Sequence, residues 1–275
     1  MSLLWILLLV ASFAWPVFQQ RRLHMARIDL LRQMERARKS RVITLIHRQE
    51  AVNILGIPIA RFIDIEDSEQ ILRVIRLTPP GTPIDLILHT PGGLVLATEQ
   101  IALALQRHPG EVTVLVPHYA MSGGTLLALA ADRVLMDENA VLGPVDPQVG
   151  QYPATSVLRV LREKGLDHVE DRTLILADIA EKAVNQVRDT VTTILSKKMD
   201  PGDAAQVARG LTEGNWTHDY PLTLRQLRGL GLPVEAGLPR EVYLLMELYP
   251  QPRRGKPSVL YAPVPYRDDD RLRWN

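Results

Sequence analysis

The chain has 275 residues, no cysteine and a formal net charge of +1. The absence of cysteine excludes disulfides, thiolate nucleophiles and cysteine-bound metals. The balanced charge gives no indication of a nucleic-acid partner. With 46% hydrophobic and 23% charged residues, the composition is that of a folded protein with one substantial core.

The N-terminal region divides by charge. Residues 1–20 carry no charged side chain, whereas residues 21–41 carry eight arginines and lysines against two acids. The apolar run is about long enough to cross a hydrocarbon core of roughly 30 Å as a helix. We therefore predict a transmembrane signal anchor over residues 1–20 and a basic juxtamembrane helix over residues 21–40 that contacts membrane lipid.

The basic flank predicts the orientation of this anchor. Under the positive-inside rule it stays in the cytoplasm, which makes the chain a single-pass membrane protein with a cytoplasmic catalytic domain. A cleaved signal peptide and a buried core helix are the alternatives. The first would lack the basic segment that normally precedes its apolar run, and the second would leave the eight cations unexplained.

Short apolar runs alternate with helical patterns after Arg41. Strands are predicted at 42–46, 62–65, 84–88, 112–116 and 133–136, and helices at 95–106, 124–131 and 173–198, with a further helix that begins at Asp67. This order predicts an α/β fold with a right-handed, mainly parallel sheet covered on both faces, in a domain over residues 41–250. Residues 251–275, rich in proline and arginine, are predicted to form an extended or disordered tail.

Two turns that contain glycine follow neighbouring strands. They are His89-Thr90-Pro91-Gly92-Gly93 and Ala120-Met121-Ser122-Gly123-Gly124-Thr125. Because ligands of open α/β sheets bind at the carboxyl ends of strands, both turns should border one crevice. A serine at a strand-to-helix turn follows the logic of a nucleophile elbow. Either turn alone would be read as an ordinary turn, with the serine as a helix cap.

The predicted chemistry is acyl transfer. Ser122 would attack a peptide bond and form an acyl-enzyme, and the backbone N–H groups of Gly93 and Gly123 would form the oxyanion hole. The strand edge at Pro91 and Gly92, with Met121 beside the nucleophile, is predicted to bind the substrate backbone. The mode expected for an extended peptide at such an edge is β-augmentation.

The two turns, with Leu142-Gly143-Pro144-Val145-Asp146-Pro147-Gln148 and Gly214-Asn215-Trp216-Thr217-His218-Asp219-Tyr220, resemble the serine dehydrogenase proteinase family. That family belongs to the Clp/crotonase superfamily, with Clp protease, signal peptide peptidase A and the NfeD-type membrane peptidases as relatives. The resemblance implies a Clp/crotonase-like β-α-β spiral core, protein or peptide substrates and a homo-oligomer.

No cofactor or metal is predicted. The family's "dehydrogenase" label implies no cofactor here, since no G-x-G-x-x-G follows a strand. The chain also lacks cysteine and the His-x-x-x-His spacing of a metal site.

Several residues are candidates for the base that accepts the proton of Ser122. In Clp protease it is a histidine in the loop after the next strand, where this chain has Asp146-Pro147-Gln148. The lysine used by signal peptide peptidase A and NfeD-type relatives favours Lys182 as the base of a Ser-Lys dyad, although its helical position also suits a solvated surface lysine. A lysine base requires desolvation. The other candidate bases are Lys164, Lys197, Lys198, His89, His118 and His218.

Two other functions stay open. A crotonase-like acyl-CoA enzyme would share the fold and use paired N–H groups on a thioester enolate, but it does not need a serine followed by two glycines. A non-catalytic scaffold in a membrane complex is the second alternative, because the base is not determined by the sequence.

Overall fold

The structure is a computed structural model that describes residues 3–48, 52–54, 57–59 and 62–249. Side chains are not described for residues 3–14, 16, 17, 52–54 and 57–59. The chain forms two compact units, one of Met1–Leu30, Arg48–Arg61 and Pro239–Asn275 and one of Leu31–His47 and Phe62–Leu238. The predicted tail over residues 251–275 lies outside the described residues.

Helices and strands alternate along most of the described chain. The helices are α1 (Leu3–Arg38), α2 (Ile65–Leu77), α3 (Val95–Arg107), α4 (Gly123–Ala130), α5 (Ala154–Lys164), α6 (Asp171–Leu195), α7 (Pro201–Thr212), α8 (Leu224–Gly229) and α9 (Arg240–Glu247). The strands are β1 (Arg41–Ile46), β2 (Val52–Ile54), β3 (Ile57–Ile59), β4 (Ile84–His89), β5 (Val112–Val116), β6 (Tyr119–Ala120), β7 (Arg133–Met136), β8 (Val141–Leu142), β9 (Gln148–Val149), β10 (Tyr152–Pro153), β11 (Leu222–Thr223) and β12 (Val234–Ala236).

A parallel sheet forms the core of the second unit. Its strand order is β1-β4-β5-β7-β12, and every neighbouring pair is parallel. β4 and β5 are buried along their whole length, as expected of apolar strands that are covered on both faces. Leu86, Ile101 and Val114 are among the fully buried side chains of this core. The predicted parallel α/β architecture is confirmed.

The strand predicted at residues 62–65 is wrong. Only a single bridge forms there, between Ile63 and Gly93, because α2 begins at Ile65 with Asp64 as its N-cap. The Asp64 side chain accepts a hydrogen bond from the Asp67 N–H at 3.0 Å, and the Asp67 side chain accepts one from the Asp64 N–H at 3.1 Å. This reciprocal capping box begins the helix earlier than predicted.

A second sheet determines which segments lie near the predicted nucleophile. Its order is β11-β8-β6. β6 runs parallel to β8, with Ala120 opposite Leu142, and β11 runs antiparallel to β8, with Leu222 opposite the same residue. The chain after Ala120, the chain after Leu142 and the chain before Leu222 therefore leave this sheet at one end.

In the first unit, two arginines bind the C-terminal end of α9. Arg27 donates through Nε and Nη2 to the Leu248 carbonyl at 2.9 and 2.7 Å, and its guanidinium lies 4.0 Å from the ring centroid of Tyr249. Arg48 donates to the carbonyls of Met246 at 2.6 Å and Tyr249 at 2.8 Å. Cations at this end of a helix satisfy its last carbonyls and complement its dipole. Arg27, in the segment predicted to contact lipid, thus binds protein carbonyls.

The predicted anchor and juxtamembrane helix are parts of one continuous helix, α1. Most side chains of residues 1–20 lie outside what the structure describes. Within the described residues, no helix combines the length and the apolar character needed to cross a membrane.

A buried ion pair joins the end of α1 to the parallel sheet. Arg38 donates to both carboxylate oxygens of Asp85, through Nε at 2.6 Å and Nη2 at 2.9 Å, and Ser40 donates to the same carboxylate. The Asp85 side chain is only 3% exposed. The hydrogen bond to this carboxylate raises the pKa of Arg38, so the guanidinium stays charged.

Replacing Arg38 with methionine should lower the free energy of unfolding by about 3–5 kcal/mol, because Asp85 would keep a buried charge without its partner. Urea denaturation of the full chain measures the change. Arg159→Met is the matched control, since it removes the exposed pair Arg159–Glu163 and should leave the midpoint unchanged. Equal midpoints for the two variants would contradict the importance of the buried pair.

Candidate active site

The two glycine turns lie side by side. Thr90 and Ala120 form a parallel bridge, and the Met121 N–H donates to the Thr90 carbonyl at 3.0 Å. Further along each turn, Gly92 packs on Ser122 so closely that a Cβ on Gly92 would lie 2.8 Å from the serine Cβ. Gly92 also has φ +111°, so both space and backbone conformation require glycine there.

Ser122 has a strained backbone. Its φ is 50° and its ψ is −116°, a region that residues other than glycine rarely adopt. It directly precedes α4 and makes no capping hydrogen bond with its side chain, so the hydroxyl does not serve as an ordinary N-cap. The residue is half-buried. A strained strand-to-helix turn of this kind aims a serine hydroxyl out of the fold, as in a nucleophile elbow.

Thr125 holds the strained turn in place. Its buried hydroxyl lies 2.9 Å from the carbonyl oxygens of both Ala120 and Gly143, and it accepts a hydrogen bond from the Gly143 N–H at 3.0 Å. A Cβ on Gly143 would lie 2.5 Å from Cε of Met121. The strain at Ser122 costs of order 1–3 kcal/mol, which these buried bonds help to offset.

Gly93 and Gly123 directly follow the two residues that pack against each other, Gly92 and Ser122. In the described part of the chain neither N–H donates a hydrogen bond, whereas the Ile63 N–H donates to the Gly92 carbonyl at 2.8 Å and the Leu94 N–H to the Ile63 carbonyl at 2.9 Å. The Gly123 N–H also lies at the first residue of α4, where the helix dipole is positive. An oxyanion hole requires unengaged N–H donors of this kind near the nucleophile.

A buried histidine supports the first turn. Nδ1 of His47 lies 2.9 Å from Oγ1 of Thr90, and Nε2 lies 3.2 Å from the Asp67 carboxylate. Oγ1 of Thr90 accepts a hydrogen bond from the Gly92 N–H at 3.2 Å. These contacts run from the first turn of α2 to the glycine turn. Sequence reasoning did not find His47, because its partners are distant in the chain.

His89 and His118, both candidate bases in the sequence, take part in an aromatic cluster. The His89 ring centroid lies 4.3 Å from that of Tyr119 and 5.8 Å from that of His118. His89 is almost fully buried. Its position in the core is that of a structural residue at the end of β4.

Lys182 lies on the solvent side of α6. Its side chain is 73% exposed, and Nζ lies 2.6 Å from the Asp178 carboxylate. One turn further along α6, Gln186 donates a hydrogen bond to the Glu99 carboxylate of α3 at 3.4 Å. After a second turn, the Thr190 hydroxyl donates to the same carboxylate at 2.9 Å. α3 begins directly after the first glycine turn. This face of α6 is therefore directed toward α3, but Lys182 itself is largely exposed.

Lys198 has the pKa of a general base but lies at the far end of α4. Burial lowers its pKa to about 8. Nζ donates to the Leu129 carbonyl at 2.6 Å and also to the Ala131 carbonyl, at the C-terminal end of the helix. Ser122 precedes the N-terminal end of this eight-residue helix, roughly 12 Å away at 1.5 Å per residue.

A histidine–carboxylate pair lies at the end of the three-stranded sheet where Ser122 emerges. Nδ1 of His218 lies 2.7 Å from Oδ1 of Asp146, and Gln148 Nε2 donates to Oδ2 of the same carboxylate at 2.9 Å. The Asp146 side chain is 2% exposed and that of His218 37%. The hydrogen bond to Asp146 raises the pKa of His218. Asp146 lies where Clp protease has its histidine, and in this chain it pairs with His218 from the loop before β11.

A strained serine at the start of a helix, beside unengaged backbone N–H groups and a parallel α/β sheet, is the arrangement of an α/β serine hydrolase. Comparison with known proteins agrees. Residues 1–273 match the family described as ClpP-like SDH-type serine proteinase. The chain belongs to this family, and its membership supports serine peptidase activity.

Two uncharacterized proteins of Methanocaldococcus jannaschii are similar over nearly their whole length. One is 55% identical over 269 residues, which cover 98% of this chain and 94% of the relative. The other is 56% identical over 266 residues, which cover 97% and 91%.

Two solved structures of mutants of a membrane-bound stomatin-specific protease are also similar, each with 19% sequence identity. The mutant in complex with a substrate peptide has a TM-score of 0.46, over 66% of this chain and 74% of its own. The second mutant has a TM-score of 0.45, over 68% and 79%.

Gly92→Ala should displace the serine, because the new Cβ would lie 2.8 Å from Ser122 Cβ and 3.0 Å from the Met121 carbonyl oxygen. We expect the rate of labelling by a fluorophosphonate to fall about 10²-fold, the usual effect of a misplaced reacting group. Gly210→Ala is the control, since nothing lies within 4 Å of a Cβ there. Labelling of Gly92→Ala at the control's rate would show that the contact does not position the serine.

Proposed function

We propose that this protein hydrolyses peptide bonds through an acyl-enzyme on Ser122. The observation that carries the proposal is the positive φ of Ser122 directly before α4, where Gly92 of the first glycine turn packs closely against the serine. Oγ attacks the peptide carbonyl while a base takes the hydroxyl proton. The two N–H groups stabilise the oxyanion of the tetrahedral intermediate. The same proton then passes to the leaving amine, and water hydrolyses the ester.

The substrate backbone is proposed to bind along the first glycine turn. Pro91, Gly92 and Met121 border the serine, and the exposed apolar side chains Leu94 and Leu96 follow directly. An extended peptide can pair with backbone at such an edge by β-augmentation, and side-chain pockets then select its residues.

The Ser122–Lys182 dyad depends on a second copy of the chain. A lysine acts as a base near neutral pH only when burial lowers its pKa, and Lys182 is largely exposed in one subunit. Ile175 and Ile179 are exposed as well, and their helical spacing places them on the same face of α6. A homo-oligomer that covers this face would bury Lys182, so the proposed dyad and the proposed oligomer depend on each other.

Membrane association is also part of the proposal. An uncharged run of twenty residues followed by eight cations supports a single-pass anchor with the peptidase domain in the cytoplasm. Substrates at the membrane would then have the shortest path to the serine. The basic segment would lie beside anionic headgroups.

Leu8→Arg in the full chain tests the anchor, because an arginine near the middle of an apolar span costs about 2.5–3.5 kcal/mol of insertion. We expect the wild type to stay with the membrane fraction after alkaline carbonate extraction and Leu8→Arg to shift to the supernatant. Gln19→Arg, at the end of the run, is the matched control. Release of the wild-type protein by carbonate would contradict the predicted membrane anchor.

Ser122→Ala should abolish both fluorophosphonate labelling and hydrolysis of a fluorogenic peptide library, since no other group replaces the nucleophile. The exposed Ser196, which donates to the Thr192 carbonyl, provides the control Ser196→Ala. Labelling that persists in Ser122→Ala would refute the assignment. A wild type that binds acyl-CoA thioesters without cleaving peptides would support the crotonase-like alternative, and one with no activity at any pH would support the scaffold.

A further inference from the structure

We propose that His47 is a positioning residue for Ser122, with its single ring proton on Nε2. Its imidazole ties Thr90, and through Thr90 the N–H of Gly92, to the start of α2. The inference deepens the proposed function and rests on it, because it concerns how the serine is held for attack. His47 acts through other residues and takes no part in the proton transfer.

The parallel sheet places His47 beside the first glycine turn. β1 pairs with β4 so that Ile46 lies opposite His89, the last residues of the two strands. His47 continues this pairing, because its N–H donates to the His89 carbonyl at 2.7 Å. Thr90 follows His89 in the chain, and its Oγ1 lies 2.9 Å from Nδ1 of His47. Both side chains are buried, so this contact is shielded from solvent.

The partners of the imidazole determine where its proton lies. Nε2 of His47 lies 3.2 Å from Oδ2 of Asp67, and an ionised carboxylate can only accept hydrogen bonds. A ring nitrogen without a proton would repel this oxygen, so the proton lies on Nε2. Nδ1 of the same ring then has a free lone pair, which accepts the Thr90 hydroxyl proton.

The Thr90 hydroxyl carries the constraint to Gly92. With its proton directed at Nδ1 of His47, Oγ1 accepts the Gly92 N–H at 3.2 Å. The other acceptor for the hydroxyl proton is the Gly92 carbonyl, at 3.3 Å compared with 2.9 Å for Nδ1. The shorter contact favours the imidazole. Nδ1 therefore orients the hydroxyl so that its lone pairs face the Gly92 N–H.

Gly92 is also held through its carbonyl, and from the same helix. The Ile63 N–H donates to the Gly92 carbonyl at 2.8 Å, and Ile63 directly precedes Asp64, the N-cap of α2. Oδ2 of Asp67, which His47 contacts, also accepts the Asp64 N–H at 3.1 Å. The start of α2 thus reaches the N–H of Gly92 through side chains and its carbonyl through backbone. A closed ring of buried polar contacts of this kind permits little movement of the turn.

The serine responds to the position of Gly92 because the two residues are in close contact. A Cβ on Gly92 would lie 2.8 Å from that of Ser122 and 3.3 Å from the Gly123 nitrogen. The backbone of Ser122 is strained, with φ 50°, a conformation that persists only where its surroundings impose it. Loss of the hydrogen bond at the Gly92 N–H should therefore let the turn move and change the geometry of attack.

The test measures the second-order rate of fluorophosphonate labelling of the full chain. His47→Phe keeps a planar ring without its nitrogens, and Thr90→Val keeps the branched side chain without its hydroxyl. Each should slow labelling about 10²-fold, the usual effect of a misplaced reacting group. Since both act through one path, the double variant should be no slower than either single variant.

Conservative variants separate positioning from packing. Thr90→Ser keeps the hydroxyl and loses only a methyl group, so it should label at close to the wild-type rate. His47→Asn should recover part of the rate lost in His47→Phe. Histidine and asparagine both branch at Cγ, so the amide oxygen can accept the Thr90 proton in place of Nδ1.

His108→Phe is the matched control. It removes the contact of 2.7 Å between Nε2 of His108 and the Thr82 carbonyl, which is also a histidine contact of this unit. Thr82 precedes β4, whereas Thr90 follows it, and this strand of six residues spans roughly 20 Å at about 3.3 Å per residue. The control should label at the wild-type rate.

Nitrogen-15 spectra of the full chain with labelled histidine measure the tautomer directly. The signals of His47 are assigned by their loss in His47→Asn. In the wild type, Nε2 should carry a proton and Nδ1 should not. A proton on Nδ1, alone or together with one on Nε2, would contradict the hydrogen-bond chain.

The outcomes separate this inference from the proposed function. A wild type that does not label, or Ser122→Ala that does, removes the proposed function and this inference with it. Wild-type rates in folded His47→Phe and Thr90→Val, with Ser122→Ala unreactive, remove only the role of His47. Thr90→Ser as slow as Thr90→Val would assign the loss to packing and also overturn the inference. If His47→Phe does not fold, the comparison of the two Thr90 variants decides.

Discussion

The fold around the serine depends on close approaches at glycines, where a side chain would not fit. A Cβ on Gly93 would lie 2.2 Å from the Ile63 carbonyl oxygen, and one on Gly124 would lie 2.6 Å from Cγ2 of Thr90. A Cβ on Gly123 would likewise lie 2.6 Å from Oγ1 of Thr98. The last two contacts pack the start of α4 against the turn after β4 and against α3. The serine with positive φ directly precedes these two glycines.

Burial and a shifted pKa do not by themselves identify a catalytic group. The pKa of Lys198 is lowered to about 8 because its ammonium is buried, but the carbonyls that it binds end α4 far from the serine. The pKa of His218 moves in the opposite direction, through its hydrogen bond to Asp146, at the end of the sheet where the serine emerges. Shifted groups are frequent both at functional sites and in structural networks, so a shifted pKa alone assigns neither group a role.

The sequence predicted the features that depend on short segments. β5 and β7 occupy the predicted residues, because their apolar runs are bounded by turns, and the serine turn was recognised from six consecutive residues. The helix start at Ile65 was not predicted, because residues 62–65 were assigned to a strand. The capping box of Asp64 and Asp67 begins the helix there instead. The pairing of His218 with Asp146 joins residues 72 positions apart, and no local pattern encodes it. Lys182 stays a prediction, since its environment in an assembly is not a property of one chain.

The order of the strands bears on how the protein is made. β12, the last strand added to the parallel sheet, pairs with β7 after a long helical excursion that contains α5, α6 and α7. Such a non-local closure is a slow step in folding, and chains emerge from the ribosome N-terminus first. The serine turn is synthesised well before the loop that carries His218. A nascent chain therefore carries its serine turn before the strand that completes the parallel sheet has been made.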